Sequence, residues 1–397
     1  MTTVVIGGGL AAANAVDELR HQGYGGDIVL IGAEPHLPYE RPPLSKGVLL
    51  GNEAPDSVFV HDRQWYDERQ VDLRLGATAT AIDRDRRTVS VGGDQLTYDR
   101  LILATGSSPR RLTALDRSDL PVQYLRTLDD AVALEAKLSG RVLIVGAGWI
   151  GLEVAAAARR AGAEVTVVEN AAWPLLAVLG EELAPLIARL HRDHGVDLRL
   201  GTAITGIEGP EVLLSDGTRL RNDLVVAGIG AGPNDALAAA AGLATGNGVL
   251  VDARLQTDDP AVFAAGDVAN QDHPSLGRIR VEHWDNAIEQ GRHAARSALG
   301  HTDPYTRQPY FFSDQYDLGL EYLGHVGPAG YDELIVRGSR DDLVLVALWV
   351  RDGTVVAGLH LNDWDAADSL RLLVGTSPGD PDALRDETVP LPRPAGD

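Results

Sequence analysis

The chain contains no cysteine among its 397 residues. This absence excludes disulfide bonds, thiolate metal sites and every mechanism that depends on a reactive thiol. Lysine is nearly as rare, because Lys46 and Lys137 are its two occurrences. Aromatic residues make up 5% of the chain, whereas glycine and alanine are abundant. This composition is typical of an α/β protein of two or three domains, and we expect no metal site.

Long hydrophobic runs are also missing. No apolar segment reaches the roughly 18 residues that a membrane-spanning helix needs. The formal net charge of −22 argues against nucleic acid and anionic membranes as partners, although acidity also serves solubility. Residues 1–3 run directly into an apolar segment without a basic stretch or a cleavage motif. We therefore expect a cytoplasmic protein.

One strand–turn–helix–strand pattern occurs twice. In the first copy, the apolar residues 3–6 precede a glycine-rich turn, a helix to about residue 22 and a strand at 27–31. In the second copy, an apolar run begins at Arg141 and the returning strand covers 164–169. Continuous apolar runs are typical of parallel strands buried on both faces. The pattern predicts an α/β fold with two Rossmann-like dinucleotide-binding domains.

Each turn has the features of a pyrophosphate site. Its glycines let the backbone approach an anion closely, and the following helix offers free N–H groups. An acidic residue, Glu34 or Glu169, follows each turn by about 20 residues and suits a ribose hydroxyl. The alternative is a pair of ordinary tight turns. The turn residues are Gly7, Gly9, Leu10, Ala11 and Ala12 in the first copy and Gly146, Gly148, Ile150 and Gly151 in the second.

Glu169 also predicts which nicotinamide cofactor binds. A carboxylate at this strand end repels a 2′-phosphate, and residues 170–177 contain no Arg or Lys to neutralise one. NADH is therefore favoured over NADPH. The alternative is that Glu169 is a solvated strand end.

The pattern changes after about residue 310. Strand-like segments cover 334–337, 343–350 and 355–360, and a helix is expected over 365–374. The tail from Thr376 is rich in Pro, Asp and Arg, so we expect it to be loosely ordered. These segments predict a third, α+β domain.

Residues 39–46 read Tyr-Glu-Arg-Pro-Pro-Leu-Ser-Lys. Two prolines fix the backbone there, and Arg41 and Lys46 flank them. Fixed charges beside a cofactor tune its electronics. From the residues alone, a proline-rich loop with solvated charges is an equally good interpretation.

Taken in order, these motifs resemble one known family. Besides the two turns and residues 41–46, they include Ala104-Thr105-Gly106, Gly266-Asp267 and the segment 280–287, which reads Arg-Val-Glu-His-Trp-Asp-Asn-Ala. The chain resembles the oxygenase-coupled NADH:ferredoxin reductases of the FAD-dependent pyridine nucleotide-disulfide oxidoreductase superfamily. The resemblance extends over essentially the whole chain.

The resemblance implies where FAD and NADH bind. It places residues 1–110 and 235–310 in a discontinuous FAD domain, 111–234 in an NAD domain and 311–397 in a C-terminal domain. The implied FAD residues are Gly7, Gly9, Leu10, Ala11, Ala12, Glu34, Arg41, Lys46, Ala79, Ala104, Thr105, Gly106, Arg126, Gly266, Asp267 and Trp284. The implied NAD residues are Gly146, Gly148, Ile150, Gly151, Glu153, Glu169 and Gly230.

The implied catalytic residues are Lys46, Glu153 and Trp284. Lys46 is expected near the flavin N5 edge with Glu153 as its partner, because a buried charge needs one. Trp284 is expected against the isoalloxazine ring. From the residues alone, Trp284 and Ile150 are better explained by packing.

The implied reaction passes a hydride from NADH to FAD and then single electrons to a ferredoxin that feeds an oxygenase. The protein is expected to be a monomer or weak dimer. Docking of an acidic ferredoxin would need a local positive patch, for instance Arg307, Arg337 or Arg340. Phe312 stands where relatives often carry Trp at the electron exit, and Ala177 stands where many carry Arg.

Other members of the superfamily set the alternatives. Disulfide reductases are excluded because the loop that would carry their cysteine ends here in Leu44-Ser45-Lys46. A rubredoxin reductase differs only in its acceptor. An NADH-binding redox sensor that resembles apoptosis-inducing factor belongs to a different functional class.

Overall fold

The computed structural model describes residues 1–378 and 381–393. The chain divides into two compact units, both discontinuous in sequence. Unit 1 contains Met1–Glu40, Val58–Ser108 and Gly232–Phe311. Unit 2 contains Arg41–Ser57, Pro109–Ala231 and the residues from Phe312 onward.

The strands of the described residues are numbered in chain order. They are β1 (Thr2–Ile6), β2 (Asp27–Gly32), β3 (Val71–Leu75), β4 (Ala79–Asp83), β5 (Thr88–Val91), β6 (Asp94–Thr97), β7 (Arg100–Leu103), β8 (Ser107–Pro109), β9 (Val122–Gln123), β10 (Arg141–Val145), β11 (Glu164–Val168), β12 (Asp197–Arg199), β13 (Ile204–Glu208), β14 (Glu211–Leu214), β15 (Arg219–Arg221), β16 (Leu224–Ala227), β17 (Ala231–Pro233), β18 (Val249–Val251), β19 (Val262–Ala264), β20 (Ala269–His273), β21 (Gly277–Arg280), β22 (Tyr310–Gln315), β23 (Leu318–Gly324), β24 (Glu333–Ser339), β25 (Val344–Arg351) and β26 (Thr354–Leu361).

The α-helices are numbered in the same way. They are α1 (Leu10–His21), α2 (Arg63–Glu68), α3 (Thr113–Asp116), α4 (Leu128–Glu135), α5 (Trp149–Arg160), α6 (Leu176–Asp193), α7 (Ala236–Ala240), α8 (Trp284–Ala298), α9 (Ala367–Leu373) and α10 (Pro381–Arg385). Short 3-10 turns cover Pro42–Ser45, Gly266–Val268 and Trp364–Ala366.

Unit 1 is built on a parallel five-stranded sheet in the order β19-β7-β1-β2-β3. Its central strand, β1, is buried from Thr3 to Ile6, as expected for a strand covered on both faces. Helix α1 packs on this sheet and against α8. A three-stranded antiparallel sheet, β4-β5-β6, and a mixed sheet, β18-β20-β21, complete the unit.

Unit 2 repeats the parallel arrangement in the order β12-β11-β10-β16-β9. It also contains the antiparallel sheet β13-β14-β15 and most of a C-terminal antiparallel sheet in the order β22-β23-β26-β25-β24. Helices α9 and α10 contact strands of the C-terminal sheet. The predicted α/β fold class is confirmed: two parallel sheets carry the repeated pattern, and a C-terminal antiparallel domain follows.

Most differences from the predicted elements are small. Strands β24 and β26 are longer than the predicted segments, and β25 is shifted by one residue from 343–350. The predicted helix at 365–374 is a 3-10 turn followed by α9. Strands β22 and β23 were not predicted. The tail from Thr376 contains the short helix α10, and the remaining expectation for 379–380 and 394–397 lies outside the described residues.

None of the helices in the described residues combines the length and the apolar character that crossing a bilayer requires.

Candidate functional site

The first glycine-rich turn lies between β1 and α1. Gly7 has a φ of +134°, and a Cβ there would lie 2.0 Å from the carbonyl oxygen of Ala104, so a larger residue does not fit. Gly9 caps α1 with extended backbone and no side-chain hydrogen bond, and the space beside it is open. The first turn of α1 holds no acidic residue. Uncapped N–H groups beside open space fit a pyrophosphate group.

Other predicted FAD residues of unit 1 lie around this turn. The segment 104–106 directly follows β7, the strand beside β1. Asp267 lies beside this segment, because its Oδ2 accepts a hydrogen bond from Ser107 Oγ at 2.7 Å. A Cβ on Gly266 would lie 3.0 Å from the Cβ of Ala11 in α1. The structure therefore brings three separate motifs to one end of the parallel sheet.

Glu34 lies just beyond the carboxyl end of β2. Its Oε2 accepts a hydrogen bond from the Tyr39 hydroxyl at 2.5 Å. The Ala77 amide donates to the carbonyl of Gly32 at 2.9 Å, which brings the segment before Ala79 beside the same strand end. Glu34 and Ala79 thus share the neighbourhood in which the resemblance places the adenosine part of FAD.

Trp284 is the first residue of α8 and is partly buried. Its side chain lies near the Glu40 carboxyl. Burial raises the pKa of Glu40, and the neighbouring Trp284 partly opposes this shift. Trp284 therefore has a polar neighbour within unit 1, which sequence reasoning missed.

The proline-rich loop enters unit 2 at Arg41. Its 3-10 turn, Pro42–Ser45, packs against α4 and α5. The guanidinium of Arg41 donates to the backbone carbonyl of Arg126, and the Arg126 amide donates to Asp130 Oδ2 at 3.1 Å. Two cations that the resemblance assigns to FAD are therefore held next to each other.

Glu153 lies in α5 and is 4% exposed. Lys46 Nζ lies 2.8 Å from Glu153 Oε1, so the predicted pairing of these two side chains is present. The Ser45 hydroxyl donates to Oε2 at 2.5 Å and the Ser313 hydroxyl donates to Oε1 at 2.7 Å. The Lys46 ammonium also lies 5.4 Å from the centroid of the Phe312 ring. A buried carboxylate is thus neutralised by one cation and two hydroxyl donors.

The second glycine-rich turn lies between β10 and α5 in unit 2. Gly146 has a φ of +100°, and a Cβ there would lie 2.4 Å from the carbonyl oxygen of Gly228. Gly148 caps α5 without a side-chain hydrogen bond and has open space beside it. Gly151 lies in the first turn of α5, where a Cβ would lie 2.1 Å from the Gly146 carbonyl oxygen. This turn repeats the anion-binding geometry of the first one.

Two further predicted NAD residues lie near this turn. Ile150, in the first turn of α5, is 45% exposed, which is unusual for a large apolar side chain in a helix that is otherwise largely buried. Gly230 follows β16, the neighbour of β10, and its carbonyl accepts a hydrogen bond from the Arg110 amide at 2.9 Å. Ile150 offers an apolar surface at the helix N-terminus.

Glu169 follows β11 and is fixed by two backbone amides. Its Oε2 accepts from the Ala147 amide at 2.7 Å and its Oε1 from the Ala171 amide at 2.8 Å. One bond reaches into the glycine turn itself, so the carboxylate charge is fixed beside the predicted pyrophosphate site. A fixed negative charge at this point opposes a 2′-phosphate.

Arg199 is a nearby cation that sequence reasoning did not consider. Its backbone carbonyl accepts a hydrogen bond from the Glu169 amide at 2.9 Å. Its guanidinium, however, pairs with Asp197 at 2.8 Å and with Asp216 at 3.9 Å. Arg199 is therefore already neutralised by carboxylates, which is consistent with a site that favours NADH.

The three arginines considered for partner docking are engaged in local contacts. Arg307 forms two hydrogen bonds with the carboxylate of Asp285, at 2.8 and 2.9 Å. Arg340 lies 3.4 Å from Glu182, and Arg337 donates to a backbone carbonyl at 2.6 Å. The carboxylate partners reduce the positive charge that Arg307 and Arg340 offer to an acidic partner, whereas the carbonyl contact of Arg337 restricts only its orientation.

Comparison with known proteins identifies the family. Residues 1–291 match the pyridine nucleotide-disulphide oxidoreductase family and residues 310–394 match the reductase C-terminal family. The chain is 41% identical to the anthranilate 1,2-dioxygenase system ferredoxin–NAD(+) reductase component of Burkholderia cepacia, over 98% of both chains. It is 38% identical to putidaredoxin reductase of Pseudomonas putida, over 98% of this chain and 95% of the relative.

Solved structures agree with these matches. The crystal structure of the covalent putidaredoxin reductase–putidaredoxin complex contains a chain that superimposes with a TM-score of 0.93 and 38% identity, over 98% of this chain and 97% of that one. The ferredoxin reductase for the CYP199A2 system of Rhodopseudomonas palustris gives a TM-score of 0.91 at 34% identity, over 98% of both chains. The chain therefore belongs to the pyridine nucleotide-disulphide oxidoreductase family and carries that family's reductase C-terminal domain.

Proposed function

We propose that the protein is an FAD-dependent NADH:ferredoxin reductase that supplies electrons to an oxygenase. The observation that carries the proposal is the presence of two uncapped glycine turns, each with its own carboxylate, in a chain without cysteine. Two turns fit two dinucleotides, and the missing thiols exclude the disulfide chemistry from which the family takes its name. The relatives named as ferredoxin–NAD(+) reductase components support ferredoxin as the acceptor.

The two cofactors are assigned to the turns by their surroundings. The turn at Gly7 lies beside Asp267 and the segment 104–106, which would hold FAD. The turn at Gly146 lies beside Glu169, which would accept a hydrogen bond from the adenosine ribose of NADH. When bound, FAD would supply the chemistry of hydride transfer from NADH and of single-electron release to a one-electron carrier.

The residues of this chain would bind and orient the cofactors. The N–H groups at the starts of α1 and α5 would bind the two pyrophosphates. Arg41, held against Arg126, and Lys46, held by Glu153, would be the cations beside the flavin, where fixed charges tune its electronics. Trp284, at the start of α8, would lie against the ring system.

The domain boundaries inferred from the sequence are part of this proposal, with FAD on residues 1–110 and 235–310, NAD on 111–234 and a C-terminal domain from 311. A cytoplasmic location is also part of it, because NADH is a reductant of the cell interior.

Stopped-flow reduction tests the proposal. The purified protein should be yellow, NADH should bleach it much faster than NADPH does, and a [2Fe–2S] ferredoxin should then restore the oxidised flavin spectrum. If a rubredoxin reoxidises the flavin and the ferredoxin does not, the electron acceptor is a rubredoxin. Slow reduction with a persistent NADH complex would favour a redox sensor, and a protein that stays colourless when given FAD would refute the proposal.

A further inference from the structure

A line of buried polar side chains leads from Glu153 into the C-terminal sheet and on to α6, all within unit 2. Ser313 Oγ lies 2.7 Å from Glu153 Oε1, Gln315 Nε2 lies 3.2 Å from Ser313 Oγ, and His191 Nε2 lies 2.8 Å from Gln315 Oε1. The four side chains are buried. We name Ser313, Gln315 and His191 the support chain of Glu153.

The carboxylate at one end determines the direction of every bond in the support chain. The Glu153 carboxylate has no hydrogen to donate, so the Ser313 hydroxyl must donate to it. Ser313 Oγ then accepts from the Gln315 amide nitrogen, which turns the amide oxygen of Gln315 toward His191. Because that oxygen can only accept, His191 must carry its hydrogen on Nε2. All donors therefore point toward Glu153.

His191 is suited to the far end of such a chain. It is 0% exposed, and burial lowers its pKa to about 4, although the hydrogen bond to Gln315 opposes this shift. The imidazole is therefore neutral at neutral pH and has a single N–H to give. Its ring also meets the ring of Tyr316 edge to face, with centroids 5.3 Å apart, which restricts its rotation.

The support chain restricts how the Glu153 carboxylate can turn. Its Oε1 accepts from both Ser313 and Lys46, and its Oε2 accepts from Ser45. Rotation of the carboxylate away from this orientation would leave a buried hydroxyl without an acceptor, which costs about 1–3 kcal/mol. Ser313 and Lys46 share one carboxylate oxygen, so the hydroxyl of Ser313 helps to define where the Lys46 ammonium lies.

We propose that Ser313, Gln315 and His191 are positioning residues for the Lys46–Glu153 pair, which they hold in one orientation through a directional chain of hydrogen bonds. The inference rests on the proposed function, in which Lys46 lies by the flavin. It assigns a role in the reaction to two residues of the C-terminal sheet and one of α6.

Selective labelling of lysine with ¹³C and ¹⁵N provides a readout that does not depend on activity, because Lys46 and Lys137 are the two lysines of the chain. In FAD-loaded full-length protein, Ser313→Ala should shift the Cε–Nζ signal of Lys46 and leave the signal of the exposed Lys137 unchanged. The matched control is Ser297→Ala, since Ser297 is a buried serine of α8 whose hydroxyl has no hydrogen-bond partner among the described residues. Identical Lys46 signals in both variants would overturn the inference.

A double-mutant cycle on flavin reduction separates positioning from a general loss of packing. Ser313→Ala should lower the limiting rate of reduction by NADH about tenfold, with little change in the dissociation constant of NADH. Ser313→Thr, which keeps the hydroxyl, should restore most of that rate. In a Glu153→Gln background, Ser313→Ala should have little further effect, because its influence passes through the carboxylate.

Additive effects of the two substitutions would contradict a role through Glu153. If NADH bleaches the wild type normally and the limiting rate of Ser313→Ala is the same as that of the wild type, the inference is overturned. The proposed function would remain supported in that case. A wild-type protein that NADH does not bleach would instead refute the proposed function, while the lysine spectra would still report whether the support chain positions Lys46.

Discussion

The buried imidazole of His191 should make the stability of the protein sensitive to mild acid. In the folded state its pKa is lowered from the ordinary value of 6.5 to about 4, mainly by burial. In the unfolded chain it returns to the ordinary value. Between these two values the unfolded state binds a proton that the folded state does not, so the free energy of unfolding falls as the pH falls. Above pH 6.5 the imidazole is neutral in both states and has no such effect.

The magnitude follows from the size of the shift. About 2.5 pKa units, at 1.36 kcal/mol per unit, correspond to a full loss of about 3 kcal/mol once the pH lies well below 4. Between pH 7.5 and pH 5, the same two pKa values predict a loss of about 2 kcal/mol. That is a substantial fraction of the stability of an ordinary domain.

Urea unfolding of the full-length protein at fixed excess FAD, followed by circular dichroism, measures this loss. The comparison is His191→Gln, which cannot titrate but can still donate an amide hydrogen to Gln315. From pH 7.5 to pH 5, the variant should lose about 2 kcal/mol less than the wild type. Burial also lowers the pKa values of His293 and His325, and their contributions cancel because both proteins contain them.

A parallel loss of stability in the wild type and His191→Gln over this range would refute the role of the buried imidazole. A lower stability of the variant at every pH would not support that role, because the predicted effect is a difference in the slope of stability against pH. An NMR titration that placed the pKa of His191 near 6.5 in the folded protein would be equally decisive, since burial would then not affect its protonation.

Three further predictions concern the proposed cofactor sites. Gly7→Ala should lower the free energy of unfolding by about 1–3 kcal/mol through backbone strain alone, and by more through the close contact of its Cβ. We therefore expect the purified variant to lack the absorbance of bound flavin. Glu169→Ala combined with Asn170→Arg should raise the ratio of kcat/KM for NADPH over NADH about tenfold or more, and an unchanged ratio would contradict the role of the carboxylate. Lys46→Met should destabilise the protein by about 3 kcal/mol in urea unfolding, because it leaves a buried carboxylate unpaired. Glu153→Gln should cost less, because Lys46 is 20% exposed and can be solvated, and the reverse order would contradict the ion-pair argument.

The two parallel sheets were predictable because their signals are local. Strand β1 and the start of β10 are continuous apolar runs followed by glycine turns, and β10 begins at Arg141 as predicted. Because the same strand–turn–helix–strand pattern occurs twice, each copy supports the interpretation of the other as part of a parallel sheet. The end of α1 differs from the prediction by one residue, since α1 ends at His21 and the predicted helix ends at about residue 22.

Strand β22 could not be predicted in the same way, because two of its three buried positions are polar and only Phe311 is apolar. Ser313 and Gln315 are each 1% exposed, whereas the intervening Asp314 is exposed. A buried strand face is normally recognised by apolar residues at alternate positions. Here the alternation is between buried polar and exposed polar residues, which in a sequence is typical of a loop.

The contacts around Glu153 were beyond sequence reasoning for a different reason. Ser45 and Ser313 lie 108 and 160 residues away along the chain, and no local period connects them. The pairing with Lys46 was anticipated only through the family resemblance. The resemblance supplied the charged pair, whereas the hydroxyl donors and the residues behind them emerged only from the folded arrangement.

These two failures of prediction have one physical origin. A carboxylate that is 4% exposed needs donors, and a sheet strand packed beside it is the nearest place from which to supply them. The inward face of β22 therefore gives up apolar burial at Ser313 and Gln315 in exchange for hydrogen bonds. Polar residues at these two positions reduce hydrophobic stabilisation. Their presence is explained if the carboxylate must stay both buried and charged. Since all of these donors are side chains of the protein itself, the proposed role of Lys46 beside the flavin rests on a pair whose orientation is determined by residues of unit 2.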